Sequence, residues 1–345
     1  MSVRKGINLN FKNAELYNIE ELIKVDEKYY RMSRLNAQIR GEIAESTAER
    51  SFYNCGCEIR FNLKGEKAEI ALLRKPGEEV LTTGAAEIYY GDFQASYQET
   101  PRILSNEPLT ITIKQKIVVE VKNTAKNLNN VFAPELVRIL LPYDWDNYLI
   151  DIRGNLDPPA ASQVPAKKIL TYGSSITHGG SANHPGESYA FKLAQLLGYD
   201  LINKGFAGSA KMEPAMANYL AELDWDLAVL EMGINIIDDW SLEKFAKKID
   251  YFIEEIALKN QDKWIFCTDL FRNRRDFNDN HKSKEFRRII KNKVETLNLK
   301  KLKYVSGLEL LTDIRGLSAD FVHPSTYGMD QIAHNFYKKI RKMIT

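Results

Sequence analysis

From about residue 50 to 155 the chain alternates apolar and polar residues in short runs. In "CEIRFNL", Ile59, Phe61 and Leu63 fall on one side of an extended strand and Glu58, Arg60 and Asn62 on the other. Successive side chains of a strand point to opposite faces, so this is a strand pattern. "AEIALL", "AAEIYYGDF", "LTITIK", "IVVEVK", "ELVRILL" and "NYLIDIR" repeat the rhythm, separated by turn-forming stretches such as "NLKGEK" and "KPGEE". About seven such runs with no helical period predict an all-β sandwich. A short helix is expected ahead of it, at "NIEELIKV".

The stretch "GNLDPPAASQVPA", residues 154–166, has three prolines, small residues and no period, which marks a linker. It divides the chain into a β-sandwich accessory domain at 1–155, a linker at 156–166 and a second domain at 167–345. Beyond it the rhythm changes. "KKILTY", "DLIN", "DLAVLEM", "KWIFCTD" and "LKYVS" read as strands, several of them nearly continuous apolar runs of the kind that parallel sheets bury on both faces. Between them, "ESYAFKLAQLLG" has helical spacing and ends at Gly198. "SLEKFAKKIDYFIEEIAL" aligns Leu242, Phe245, Ile249, Phe252, Ile253 and Ile256 behind a capping Ser241. "SKEFRRIIKNKVETL" repeats the theme, and a last helix is expected over about 325–343. Strands alternating with helices predict a flavodoxin-like three-layer α/β/α domain with a parallel sheet.

Composition narrows the function classes. A chain of 345 residues with 44% hydrophobic and 27% charged residues suits two ordinary globular domains. A net charge of +2 offers no bulk attraction to nucleic acid or to a membrane. No apolar run approaches the roughly 20 residues of a spanning helix. The opening "MSVRKGINLNFKNAELYNIEELIKV" lacks a signal-peptide pattern, so a cytoplasmic location is expected. Cys55, Cys57 and Cys267 form neither a disulfide framework nor a zinc set and are expected as free thiols. "THGGSA" lacks both the P-loop lysine and the dinucleotide spacing, and neither cofactor nor metal is expected.

In an open α/β sheet, ligands bind outside the carboxyl ends of the strands. Those ends carry "GSSITHGG", "KGFAGSA", "GIN" and, after the last strand, "ADFVHPS". Each has an ordinary reading alone: a turn serine, a glycine needing positive φ, a loop asparagine, a histidine before proline, a surface aspartate. Together they are a nucleophile, oxyanion donors, a general base and an orienting carboxylate, the parts of acyl transfer.

These blocks resemble the SGNH or GDSL hydrolases, in the family's order and over about 170 residues. "GSSIT" matches the Gly-Asp-Ser block, with Ser175 at the nucleophile. Gly208 in "NKGFAGS" matches the second block, Gly233 and Asn235 in "EMGIN" the third, and Asp320 and His323 in "DFVHP" the last. The resemblance implies Ser175, His323 and Asp320 as catalytic residues. It implies the N–H groups of Ser175 and Gly208 and the amide of Asn235 as the oxyanion hole. One position departs: Ser174 stands where the family has an aspartate that braces the nucleophile loop, and a serine can make one such hydrogen bond. Ser174, His178 and Gly233 are further candidates for contact with substrate, and His184 reads as a loop residue beside them.

The N-terminal half also resembles the β-sandwich carried by a subgroup of these enzymes, which act as esterases or acyltransferases on small or carbohydrate-like molecules. The resemblance thus implies an ester hydrolase acting on a small-molecule or carbohydrate acyl ester, with short acyl groups favoured. Two alternatives stay open: an acyltransferase using the same triad, and a glycan-binding protein on a degenerate hydrolase scaffold. The basic segment "FRNRRDFNDNHKS", 271–283, reads either as a solvated loop or as part of a lid favouring an anionic substrate.

Overall fold

The computed structural model describes residues 8–75, 84–278 and 280–344. The N-terminal half begins with strands β1 (Leu9–Phe11), β2 (Ala14–Tyr17), β3 (Glu21–Lys24) and β4 (Tyr30–Ser33), then short helices α1 (Ala37–Glu42) and α2 (Glu45–Arg50). There follow β5 (Glu58–Leu63), β6 (Lys67–Lys75), β7 (Gly84–Tyr90), β8 (Phe93–Gln94), β9 (Arg102–Leu104) and β10 (Leu109–Lys114). Helix α3 (Gln115–Ala125) precedes β11 (Leu136–Leu140), β12 (Asp146–Arg153) and β13 (Leu156–Asp157). One antiparallel sheet runs β1-β2-β5-β11-β7-β8, with β13 and β9 added at its margins, and the second runs β10-β6-β12-β4-β3. Ile59, Phe61 and Leu63 of the first sheet pack with Ile70, Leu72, Ile111, Ile113 and Leu149 of the second, closing the sandwich core.

Several expectations need correction. "NIEELIKV" forms β3, paired with β4 from Glu21↔Ser33 to Lys24↔Tyr30. So short a segment gains little as a helix, and pairing with a neighbouring strand decides it. "IVVEVK" belongs to α3, not to a strand. Ile117, Val118 and Val121 of this helix turn to the sandwich core, a spacing hidden by β-branched side chains. "AAEIYYGDF" is a hairpin rather than one strand, turning at Gly91 and Asp92 so that Tyr90 opposes Phe93. The expected turn "KPGEE" lies almost wholly outside the described residues. Residues 154–166 are tied down: β13 pairs with β5, and Asn62 and Gln163 exchange side-chain hydrogen bonds of 2.8 and 2.9 Å.

The C-terminal half holds β14 (Lys168–Gly173), α4 (Ser175–His178), α5 (Tyr189–Leu197), β15 (Asp200–Gly205) and α6 (Pro214–Glu222). It continues with β16 (Leu227–Glu231), α7 (Leu242–Lys259), β17 (Trp264–Thr268), α8 (His281–Leu297), β18 (Leu302–Val305) and α9 (Thr326–Ile344). The sheet is parallel in the order β15-β14-β16-β17-β18. Alternate strand residues feed two cores: Leu170, Ala228 and Leu230 meet α6, α7 and α8, while Ile169, Leu227 and Val229 meet α5 and α9. Among the described residues no helix is long and apolar enough to cross a membrane.

The polar side of β5 does not face water. Glu58 and Arg60 are buried, and Arg60 donates to both carboxylate oxygens of Asp200 at the head of β15, each at 2.7 Å. Arg60 also reaches Glu58 at 2.8 Å, Arg138 reaches Glu58 at 2.6 Å, and the Arg60 guanidinium stacks 3.5 Å over Tyr17. β15 is a sheet edge, whose free carbonyls would otherwise be orphaned. Buried Arg34 donates to the carbonyls of Asn203 (3.1 Å) and Gly205 (2.8 Å), and Asn18 adds a bond to Asn203 at 3.1 Å. The β-sandwich therefore seals the edge of the α/β sheet with paired charge.

Burial alone would raise the Glu58 carboxyl, but the charges and hydrogen bonds of Arg138 and Arg60 outweigh it and lower it from 4.5 to about 2. A carboxyl depressed on folding contributes stability above its unfolded value, lost as pH falls through the folded one. Urea unfolding should show stability falling from pH 4.5 towards 2, and less steeply in Glu58→Gln. Arg60→Ala, which strands Glu58 and Asp200 out of water, should cost about 3–5 kcal/mol in the same assay.

Candidate active site

Strand β14 runs into Gly173, Ser174 and then Ser175, the first residue of α4. A Cβ on Gly173 would stand 2.3 Å from Thr177 Oγ1 and 2.4 Å from Glu231 Oε2, so only glycine lets this turn close. The Ser174 hydroxyl caps α4 by accepting from the Ile176 N–H at 3.2 Å. The half-buried Ser175 Oγ then lies 2.7 Å from His323 Nε2.

The histidine is set by the loop after β18. Leu317 and Pro324 pair across it, and the Ser318 N–H donates to the His323 carbonyl at 2.8 Å. Inside this pinch Asp320 Oδ1 accepts from Ser318 Oγ (2.8 Å) and from the N–H groups of Val322 (2.8 Å) and His323 (2.9 Å). Its Oδ2 lies 2.6 Å from His323 Nδ1. Partial burial pushes the Asp320 carboxyl up, but the bonds from the His323 ring and backbone, Val322 and Ser318 hold it well below the usual carboxylate range. An ionised Asp320 fixes the proton on Nδ1 and leaves Nε2 to accept from Ser175. The arrangement can therefore draw a proton from the serine hydroxyl.

Across the cleft, Gly208 has φ +68°, and a Cβ there would meet no protein atom within 4 Å. The glycine is required by backbone conformation rather than by crowding. Asn235 Oδ1 accepts from the Ala210 N–H at 3.1 Å, which leaves its amide NH₂ free to donate. Ser175, Gly208, Asn235 and His323 line one cleft of about 630 Å³. The loop that carries Gly208 is held by side chains of the N-terminal half: Arg50 Nε donates to the Ala207 carbonyl at 3.1 Å, and Thr47 Oγ1 donates to the Ser209 carbonyl at 3.0 Å. Because a peptide is planar, fixing the Ala207 carbonyl aims the Gly208 N–H the opposite way. Both supports come from α2, an element that sequence reading missed.

Not every candidate reaches the cleft. Ser174 is buried, with its N–H bonded to Glu231 Oε2 at 2.6 Å, and it stands behind the cleft. Gly233 faces inward, where a Cβ would lie 3.3 Å from Leu270. His178 does line the cleft but is buried between the edges of Tyr53 and Tyr143. Burial foremost, with the charge of Arg34, lowers it to about 3, so it is neutral. His184 lies 3.8 Å from Glu87 and does not border the cleft. From the basic segment, Arg274 and Arg275 enter the wall, and the N-terminal half adds Arg50, Tyr53, Tyr143, Asp144 and Trp145.

Glu231, at the end of β16, was also missed. Its Oε2 accepts from Ser174 N–H and from Thr177 Oγ1 (3.2 Å), bracing the turn that presents Ser175. Burial raises this carboxyl, opposed by its bonds from Ser174 and Thr177. The acid absent at position 174 is thus supplied from the adjacent strand. A glutamate closing the otherwise apolar run "LAVLE" was its one signal in the sequence.

The order in which these groups enter the chain, serine first and the Asp–His pair last on one α/β/α scaffold, is that of the SGNH-type ester hydrolases. The chain belongs to the GDSL-like lipase/acylhydrolase family, which it matches over residues 166–341. A comparison with curated proteins gives no match. Among solved structures, the salicylyl-acyltransferase SsfX3 from a tetracycline biosynthetic pathway is similar over 100% of this chain and 99% of its own, with TM-score 0.78 and 15% identity. A family two carbohydrate esterase from Cellvibrio japonicus is similar over 100% and 99%, with TM-score 0.62 and 13% identity. One from Clostridium thermocellum, in complex with cellohexaose, covers 84% and 92%, with TM-score 0.58 and 15% identity. At such identities the likeness is one of fold, and it extends through both halves of the chain.

If Glu231 positions the serine turn, Glu231→Gln should lower kcat about tenfold while leaving KM for a small ester nearly unchanged. Steady-state kinetics beside a circular dichroism spectrum separates this from misfolding.

Proposed function

We propose that the protein hydrolyses acyl esters through an acyl-enzyme on Ser175. His323 takes the serine proton as Oγ attacks the ester carbonyl, and returns it to the departing alcohol. Water, deprotonated by the same imidazole, then attacks the acyl-serine, releasing the acid and restoring the hydroxyl. Asp320 holds the ring in the right tautomer and stabilises the imidazolium. The N–H groups of Ser175 and Gly208 and the Asn235 amide receive the charge that develops on the carbonyl oxygen. The observation that carries this reading is the continuous contact from Ser175 Oγ to His323, 2.7 Å, and on to Asp320, 2.6 Å.

Short acyl groups on a sugar or small metabolite suit a cleft whose wall includes the aromatic residues Tyr53, Tyr143 and Trp145. Fold likeness to carbohydrate esterases points the same way. Transfer of the acyl group to an alcohol or amine would use the same intermediate, and the full-length likeness to an acyltransferase keeps that reading in view. Free acid as the sole product in the presence of candidate acceptors argues for hydrolysis. The three buried free thiols suit a reducing cytoplasm.

Wild-type protein should turn over p-nitrophenyl acetate and be labelled at Ser175 by a fluorophosphonate, and Ser175→Ala should do neither. Asn235→Ala should lose about 10²–10³ in kcat, the usual loss for one oxyanion donor. Full activity in Ser175→Ala would refute the assignment.

A further inference from the structure

Three guanidinium groups border the cleft, and their partners differ. Arg275 is paired with Asp238, and the wall carboxylate Asp144 is paired with buried Arg74 at 3.0 Å. Arg50 and Arg274 have no carboxylate partner among the described residues. Arg50 is half-buried, held by the Ala207 carbonyl and by Tyr53 Oη at 2.7 Å, with its charged carbon 4.8 Å from the Tyr53 ring and 5.8 Å from that of Trp145. Burial raises the Tyr53 hydroxyl, so it is neutral and supplies no counter-charge. Arginine is rarely withdrawn from water without an anion. The other carboxylates close by are engaged elsewhere: Glu49 and Asp146 with Arg31, Asp144 with Arg74, and Asp320 with the far side of the His323 ring.

The two free cations are tied to different parts of the site. Arg50 is anchored to the loop that carries Gly208. The backbone of Arg274 is anchored to the loop that carries His323: its main-chain N–H donates to the Phe321 carbonyl at 2.7 Å, and Phe277, three residues on, packs edge-on against the Phe321 ring. A departing alcohol must come within reach of His323 Nε2 to collect its proton, so the alcohol half of an ester lies towards the loop that positions Arg274.

We propose that this cleft selects esters whose alcohol portion carries an anionic group, a carboxylate or a phosphate, received by Arg274 with Arg50 contributing to the same positive field. The inference rests on the ester-hydrolase reading of Ser175 and adds the substrate's charge to it. Guanidinium is suited to either anion because its fork of N–H donors matches paired oxygens.

The test compares 4-acetoxybenzoate and 4-acetoxyphenyl phosphate with the neutral methyl 4-acetoxybenzoate, and adds p-nitrophenyl hemisuccinate, whose charge lies on the acyl side. Wild type should favour one or both of the first two over the methyl ester by about tenfold or more in kcat/KM, the scale of one charge-assisted hydrogen bond. The two anionic esters separate carboxylate from phosphate as the group preferred. That ratio should fall towards one in Arg274→Gln and in 0.5 M salt. A wild-type ratio near one, a ratio indifferent to both Arg274→Gln and Arg50→Gln, or a preference confined to the hemisuccinate would overturn the proposal. Binding of benzoate and of phenyl phosphate, read by calorimetry and weaker in Arg274→Gln, needs no turnover. Anion binding without hydrolysis of any ester would therefore sink the reading of Ser175 alone, while hydrolysis without anion preference would sink this inference alone.

Discussion

Four charged side chains, Glu58, Arg60, Arg138 and Asp200, are buried where the first β-sheet meets the α/β domain, and they remain out of water only because each faces another. Ions in such a place carry a desolvation penalty of several kcal/mol apiece, so a misplaced pairing is expensive. The fork between Arg60 and Asp200 also demands one orientation, since both nitrogens meet both oxygens. That demand ties β5 of the sandwich to the head of β15. Arg34 and Asn18 then close the rest of that edge strand. The relative position of the two halves follows from these contacts.

The consequence appears at the cleft. With the sandwich fixed on β15, helix α2 meets the loop after that strand, where Arg50 and Thr47 hold the carbonyls on either side of Gly208. The segment Tyr143–Trp145 forms part of the wall. Donors meant for a developing oxyanion are useful only if they need not reorganise when the charge appears. Here the loop carrying Gly208, a proposed donor, is held by side chains of the other domain. On the opposite side, Glu231 stiffens the serine turn from within the sheet, and the backbone pinch at 317–324 stiffens the histidine loop.

Much of this was readable in the chain. The change of period near residue 160 separates the sandwich from the parallel sheet, because two-residue and near-continuous apolar patterns have different burial causes. Ser175, Asp320 and His323, which the structure brings into contact, stood out in the sequence because the proposed acyl transfer calls for such groups at strand ends. What escaped has a common physical origin: it depends on the partner surface and not on local sequence. Glu58 and Arg60 look like a solvent face until Asp200 is placed opposite them. Glu231 is one acid in an apolar strand, and its meaning appears only when Ser174 is seen to lack a carboxylate of its own. Helix α3 was read as a strand because Val118 and Val121 favour strands locally, while the sandwich face they cover favours a helix.

The claim at the centre is that the two halves build one acyl-transfer site around Ser175. Its most direct test is a crystal structure of the protein inactivated by a short-chain phosphonate. The account predicts phosphorus bonded to Ser175 Oγ, with the phosphonyl oxygen within hydrogen-bond distance of the Gly208 N–H and the Asn235 amide, and Arg50 still bound to the Ala207 carbonyl. An adduct on another residue, or a phosphonyl oxygen turned away from Gly208 and Asn235 into solvent, would contradict it.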